Sequence, residues 1–211
     1  YGEIRSLFPI PSLTMHFVAR ADENVASLAD LEGKTVLLGK GSFGAREGEK
    51  YLTMFGLDGK VTIADAERSN AVAALKNGQI DGFVTAGSFP APNVIEAAAG
   101  TGVTVVPLSD EEVEKTGRAR LVIPAGTYPG QDADVVTTSL PVVAYATTGM
   151  SDDTAYALTK SFWDGKEALA RAAPWWGGVT PDLLSNVTGP IHPGALRYYE
   201  EAGIAVPATA N

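Results

Sequence analysis

The segment Thr35–Arg46 holds the residues of this chain best suited to chemistry on a ligand. An apolar run ends there in Gly39, Gly41 and Gly44, which let a backbone turn tightly against a bound molecule. Ser42 suits a helix cap, and the N–H groups of the first turn then face outward at the positive end of the helix dipole. Such a turn takes a carboxylate or a phosphate. Ser42, Phe43, Gly44 and Ala45 are the expected backbone grip, with Arg46 able to add charge-assisted pairing to an acidic ligand. The spacing Gly39-x-Gly41-x-x-Gly44 also matches the dinucleotide fingerprint, and Asp65 stands where a ribose-binding acid is expected. A non-covalent anion site, a nicotinamide dinucleotide site and a plain structural turn all fit these residues.

Catalysis finds little footing. The chain has no cysteine, which removes thiolate metal sites, a cysteine nucleophile and disulfides. Its two histidines, His16 and His192, are far apart, and no metal-ligand spacing is present. Lys40 occupies the first glycine position of the G-x-S-x-G elbow, so Ser42 is not read as a nucleophile. The acidic run Asp110–Glu114 reads as a solvated helix face. The expectation is therefore no enzyme, no catalytic residue, no metal and no cofactor.

With 45% apolar and 19% charged residues, the 211-residue chain can bury a core. A net charge of −9 repels nucleic acid and anionic lipid, so neither is an expected partner. It also obliges an acidic ligand to find local donors. No apolar run approaches the length of a membrane-spanning helix. The chain opens at Tyr1 without an initiator Met, as expected of a periplasmic or secreted protein whose signal peptide has been removed.

The elements that must position these residues alternate. The pattern predicts strands over 12–20, 34–39, 60–65, 80–84 and 103–106, and helices over 44–55, 71–76 and 93–99, with the acidic helix over 110–114. Alternation of this kind predicts a mostly parallel sheet with helices on both faces and ligands beyond the carboxyl ends of its strands. The 39–45 turn and the residues Thr85, Gly87 and Ser88 leave strands at that edge and should face one cleft. Residues 123–132 are too rich in proline and glycine for regular structure, and 135–147 form a β-rich run long enough to cross between lobes. A helix over 154–162, the Pro174-Trp175-Trp176 segment and a last helix ending at Gly203 complete the reading.

Residues 74–83 resemble the helix–turn–strand run common in periplasmic solute-binding proteins. Residues 123–132 (Ile-Pro-Ala-Gly-Thr-Tyr-Pro-Gly-Gln-Asp) and 191–199 (Ile-His-Pro-Gly-Ala-Leu-Arg-Tyr-Tyr) look like the TAXI family of TRAP-transporter solute receptors. Ala86–Pro92 resembles that family's Ala-Gly-x-Pro-x-Pro loop, with Phe89 as an insertion or substitution. The likeness runs from Ile4 to Ile204. It implies an α/β, type II periplasmic-binding-protein-like fold of two lobes, with parallel or mixed sheets flanked by helices. The two lobes would close over glutamate, glutamine or a related dicarboxylate such as 2-oxoglutarate and deliver it to a membrane permease driven by an ion gradient. On this scheme residues 1–30 are a remnant of the first lobe with a hinge strand and 31–134 the second lobe. Residues 135–211 are then the return strand and C-terminal helices.

Tyr128 can stack on or hydrogen-bond the solute, or pack the hinge; Gln131 can bond an amide or carboxylate, or hold a turn. Two departures stand out. The family's Gly-Ser-Gly-Thr cap is replaced by Gly41-Ser42-Phe43-Gly44-Ala45, which favours a less polar or bulkier ligand. The family's glycine- and tyrosine-rich opening segment does not precede Tyr1, so the first lobe is expected to be incomplete, with apolar surface exposed unless further residues or another chain complete it. An effector-binding domain of a transcriptional regulator and a two-lobe enzyme are the rival readings.

Overall fold

A computed structural model of the chain describes residues 2–207 and divides them into two units. One comprises residues 13–140; the other joins the residues up to Ser12 to those from Pro141 onward. The chain changes unit within its two longest strands, β1 (Ile4–Arg20) and β7 (Val135–Thr147). Residues 13–30 and 135–140 therefore pack with the central α/β unit, whereas the sequence scheme grouped them with the flanking segments.

The 13–140 unit is built on an open mixed sheet. Its further strands are β2 (Thr35–Leu37), β3 (Thr62–Ile63), β4 (Gly82–Gly87), β5 (Val103–Val105) and β6 (Ala119–Ile123). The order is β3-β2-β4-β1-β7-β6, with β5 paired to β1. Helical crossovers make β2 parallel to β3 and to β4, as the alternating pattern requires. The expected mostly parallel sheet stops there: β1 runs antiparallel to β4 and β5, and β6 to β7.

The helices of this unit are α1 (Phe43–Met54), α2 (Ala71–Lys76), α3 (Pro92–Gly100) and α4 (Asp110–Thr116). Alternation along β1 sends Met15, Phe17 and Ala19 into a core with Val36, Tyr51, Leu52 and Val84, and Val18 into another with Leu37, Leu75, Phe83 and Val94. Both faces are thus covered, which explains why β2 and β4 read as continuous apolar runs. Ser109 caps α4 in a capping box with Glu112.

The other unit contains α5 (Asp152–Ala172), ten residues longer at its C-terminus than the sequence pattern suggested, and α6 (Pro193–Glu201). Leu7, Ala155, Leu184, Ile191, Ala195 and Tyr199 form its core, and the Tyr199 hydroxyl donates to the Leu7 carbonyl at 2.7 Å. His192 caps α6, its Nδ1 accepting from the Gly194 N–H at 3.2 Å. A Cβ on Gly194 would lie 2.0 Å from the Asp152 carbonyl oxygen, so the His-Pro-Gly run is a packing device. Trp176 rests against Phe162, while Tyr145, Leu158 and Trp175 expose much of their side chains. Among the described residues no helix is long and apolar enough to cross a membrane, and no cluster of His, Asp or Glu is arranged to hold a metal.

Candidate functional site

Parallel pairing of β2 with β4, Val36 opposite Gly82 and Leu37 opposite Phe83, brings their carboxyl ends to one edge of the sheet. β3 joins them in the same sense, so the loops 38–42, 64–70 and 88–91 all leave at that edge. Gly39 and Gly41 take the left-handed conformation that turns the first loop. Ser42 then starts α1: its Oγ accepts from the Ala45 N–H at 2.9 Å and donates to the Gly39 carbonyl at 2.8 Å. The Ser42 carbonyl takes the Arg46 N–H. Helix geometry leaves the N–H groups of Phe43 and Gly44 without an intrahelical acceptor at the positive end of the dipole.

The start of α1 is pressed onto β4. A Cβ on Gly44 would sit 2.9 Å from the Ala86 nitrogen and 3.4 Å from the Thr85 carbonyl carbon. The structure therefore brings Ser42, Phe43, Gly44 and Ala45 together with Thr85, and Gly87 and Ser88 follow directly along the chain. Thr85 is buried; Gly87 and Ser88 are half-buried. The half-buried Phe43 ring packs on the core that α1 shares with β1. Arg46 is exposed, with its guanidinium 3.4 Å from the Gly41 carbonyl. Lys40 pairs with Asp65, the acid of the dinucleotide spacing.

Sequence reasoning missed Arg68, whose Cβ stands 2.8 Å from where a Cβ on Gly39 would be. The signal for it was topological: a strand parallel to β2 must deliver its following loop to the same edge.

Buried polar bonds fix α1 in place. Glu47 is 3% exposed and receives the Arg118 Nε and Nη2 at 2.9 and 2.8 Å, and the Lys50 Nζ at 2.8 Å. Burial pushes this carboxyl up, but the hydrogen bonds from Arg118 and Lys50 outweigh it and hold the group below its ordinary value. One turn on, the Tyr51 hydroxyl meets Thr138 Oγ1 of β7 at 2.6 Å.

Tyr128 and Gln131 are bonded internally, which matches the packing and turn alternatives in their reading. Tyr128 is 2% exposed; its hydroxyl meets His16 Nε2 at 2.7 Å and accepts from the Ala91 N–H at 2.9 Å. Burial pushes this phenol up to about 12. Gln131 Oε1 accepts from the Tyr128 N–H, and its Nε2 donates to the carbonyls of Ile123, Pro124 and Ala133. It clamps the proline- and glycine-rich loop.

Several solved structures show distant likeness. The periplasmic aliphatic sulphonate binding protein SsuA from Escherichia coli is 16% identical over 94% of this chain and 59% of its own, with a TM-score of 0.42. The arginine-, lysine-, histidine-binding protein ArtJ from Geobacillus stearothermophilus is 13% identical over 85% of this chain and 65% of its own, TM-score 0.45. Substrate binding domain 2 of GlnP from Lactococcus lactis is 13% identical over 83% and 60%, TM-score 0.45. The chain thus spans about three-fifths of the length of these solved chains. At the level of sequence the match is more extensive: residues 1–203 fit the NMT1-like family, and the chain belongs to that family.

Proposed function

We propose that the chain is the solute-binding part of an extracytoplasmic receptor, periplasmic or secreted, that serves a TRAP-type secondary transporter of the TAXI kind. Its solute is a small carboxylate or amino acid resembling glutamate, glutamine or 2-oxoglutarate, and its macromolecular partner is the membrane permease. Nucleic acid has no part in this reading, and no catalytic step is assigned to the chain.

The observation that carries it is the start of α1, whose first-turn Phe43 and Gly44 N–H groups have no intrahelical acceptor, packed at Gly44 against Thr85 and Ala86 at the end of β4. Two backbone donors beside a helix dipole hold a carboxylate without a metal or a covalent bond. The net charge of −9 supports a local device of this kind, because the field of the whole molecule works against an anion. Family membership over 203 residues and the sheet-edge loops fit a type II binding-protein lobe.

Isothermal calorimetry with L-glutamate, L-glutamine and 2-oxoglutarate tests the reading, with L-glutaminamide as the probe whose α-carboxylate is masked. Saturable binding of one or more acids, lost with the masked probe, is expected. Absence of binding by all three acids, or equal binding of the masked amide, would refute it.

A further inference from the structure

We infer that Tyr128 is a positioning residue: its hydroxyl, held by His16, fixes the segment from Thr85 to Ala91 beside the start of α1. Through that segment it sets solute affinity without touching the solute. The inference rests on the receptor reading and adds to it the residue that holds the second loop of the site in place.

The segment that joins β4 to α3 is tied at both ends to one rung of the sheet. Thr85 stands opposite His16 in the β1–β4 register. Further on, the Ala91 N–H donates to the Tyr128 hydroxyl at 2.9 Å, and that hydroxyl meets His16 Nε2 at 2.7 Å. The ring sets the direction of this bond. Its Nδ1 lies 3.1 Å from the Thr14 carbonyl, which only accepts, so Nδ1 carries the hydrogen and Nε2 is left to accept. The phenol oxygen therefore donates toward β1 and accepts from Ala91, and the two bonds together fix how far Ala91 stands from the sheet. Helix α3 has no side-chain cap of its own, so the Tyr128 hydroxyl is the polar partner that its N-cap residue receives.

Between its tied ends the segment passes α1. The Ala86 nitrogen is the atom closest to the Cβ position of Gly44, and Phe89 packs on the core that holds Tyr128 and Ala91. Gly44 thus bears on the segment from the α1 face of the sheet and Tyr128 from the opposite face. A shift at Ala91 reaches the Gly44 contact through the backbone between them. Tyr128 is itself held, since Gln131 accepts its N–H and ties the loop around it to three carbonyls. At 2% exposure its ring offers a solute no surface. Burial lowers His16 to about 4 and pushes Tyr128 up to about 12, so at neutral pH this chain of bonds puts no charge near the anion. A loop fixed before the solute arrives need not be ordered on binding, and the difference appears in affinity.

Tyr128→Phe removes the hydroxyl and keeps the ring. Its affinity for L-glutamate, L-glutamine and 2-oxoglutarate is measured by calorimetry well below its melting temperature, beside the wild type and Tyr199→Phe. Tyr199 is the control. Its buried hydroxyl donates to the Leu7 carbonyl at 2.7 Å in the other unit, so removing it costs stability of a like kind without touching the Thr85–Ala91 segment. While a variant remains folded, a lower melting temperature alone leaves its affinity unchanged. Both variants should melt below the wild type. Tyr128→Phe should bind about tenfold more weakly, whereas Tyr199→Phe should bind as the wild type does. His16→Leu is the second variant: it keeps Tyr128 and Ala91 but removes the acceptor that orients the hydroxyl, and it should also weaken binding. It carries the test if Tyr128→Phe does not fold. Wild-type affinity in Tyr128→Phe, or in His16→Leu where the first variant does not fold, would overturn the inference and leave the receptor reading intact. So would an equal loss in Tyr199→Phe. Binding of none of the three acids to the wild type would overturn both.

Discussion

A residue that cannot titrate, put in place of His16, should remove a large part of the acid sensitivity of this fold. The His16 ring is wholly buried between two fixed partners. Its Nδ1 stands 3.1 Å from the Thr14 carbonyl, which can only accept, so Nδ1 carries the hydrogen. Nε2 then accepts from the Tyr128 hydroxyl at 2.7 Å, and that oxygen accepts from the Ala91 N–H at 2.9 Å. Every group in the chain is satisfied while the ring is neutral; a second proton on Nε2 would confront the hydroxyl proton. Burial lowers the ring from 6.5 to about 4, the Thr14 bond opposing it only in part.

The unfolded chain takes up this proton near pH 6.5 and the folded chain refuses it until about pH 4. Stability from this group is therefore complete above pH 6.5 and is lost as pH falls toward 4. At about 1.4 kcal/mol per pH unit, the interval amounts to about 3 kcal/mol, a large share of the margin of an ordinary domain. Urea unfolding of the wild type and His16→Gln at pH 7 and pH 4 measures it as a difference, in which the carboxylates common to both cancel. The wild type should lose about 3 kcal/mol more than the variant across this range. A proton NMR titration of the His16 ring reads the same quantity without a mutation and should show a midpoint near 4. Parallel losses in the two proteins, or a ring midpoint at or above 6.5, would refute the reasoning.

Two further outcomes follow from the packing of α1. Gly44→Ala places a methyl group 2.9 Å from the Ala86 nitrogen, and backbone must yield. The expected overpacking cost is about 1–3 kcal/mol, accompanied by weaker carboxylate binding as the first turn leaves β4. A variant with wild-type melting and wild-type affinity in calorimetry would show that the close approach is not needed. Glu47→Gln keeps the shape of the buried side chain but strips the charge from its bonds to Arg118 and Lys50. A destabilisation of about 2 kcal/mol is expected in urea unfolding, and a change under half a kcal/mol would mean the pair contributes nothing net.

The order of elements was legible because it depends on local signals. Gly56, Gly78 and the serine caps stop and start helices wherever the chain goes, and α2 and the whole of β7 fall where those signals put them. Strand sense was not legible for β1, because antiparallel neighbours are chosen by the whole sheet and leave no mark on residues 12–20. The anion grip could be read because a strand, a glycine turn and a serine cap lie within twelve residues. Its partner at Thr85 followed from the sheet-edge rule. The choice between solute contact and internal packing stayed open for Tyr128 and Gln131 because their partners lie across long stretches of sequence or in the irregular loop around them. A tyrosine facing a ligand and one facing a buried histidine look alike in a linear chain.

The polar groups buried around α1 bear on how the edge can work on so acidic a chain. A helix dipole acts over one turn, and its value to a bound anion depends on the donors holding still. Here three contacts restrain α1 along its length: Gly44 against Ala86, Glu47 clamped by Arg118, and Tyr51 bonded to Thr138. The first sets the distance to β4, and the other two tie the helix to the segment after α4 and to β7. Glu47 adds a negative charge close to the proposed anion, but Arg118 and Lys50 take up its oxygens on the spot. The clamp therefore restrains the helix while its charge is balanced locally. A helix restrained in this way keeps the Phe43 and Gly44 N–H groups aimed before a ligand arrives, and the solute need not order them on binding.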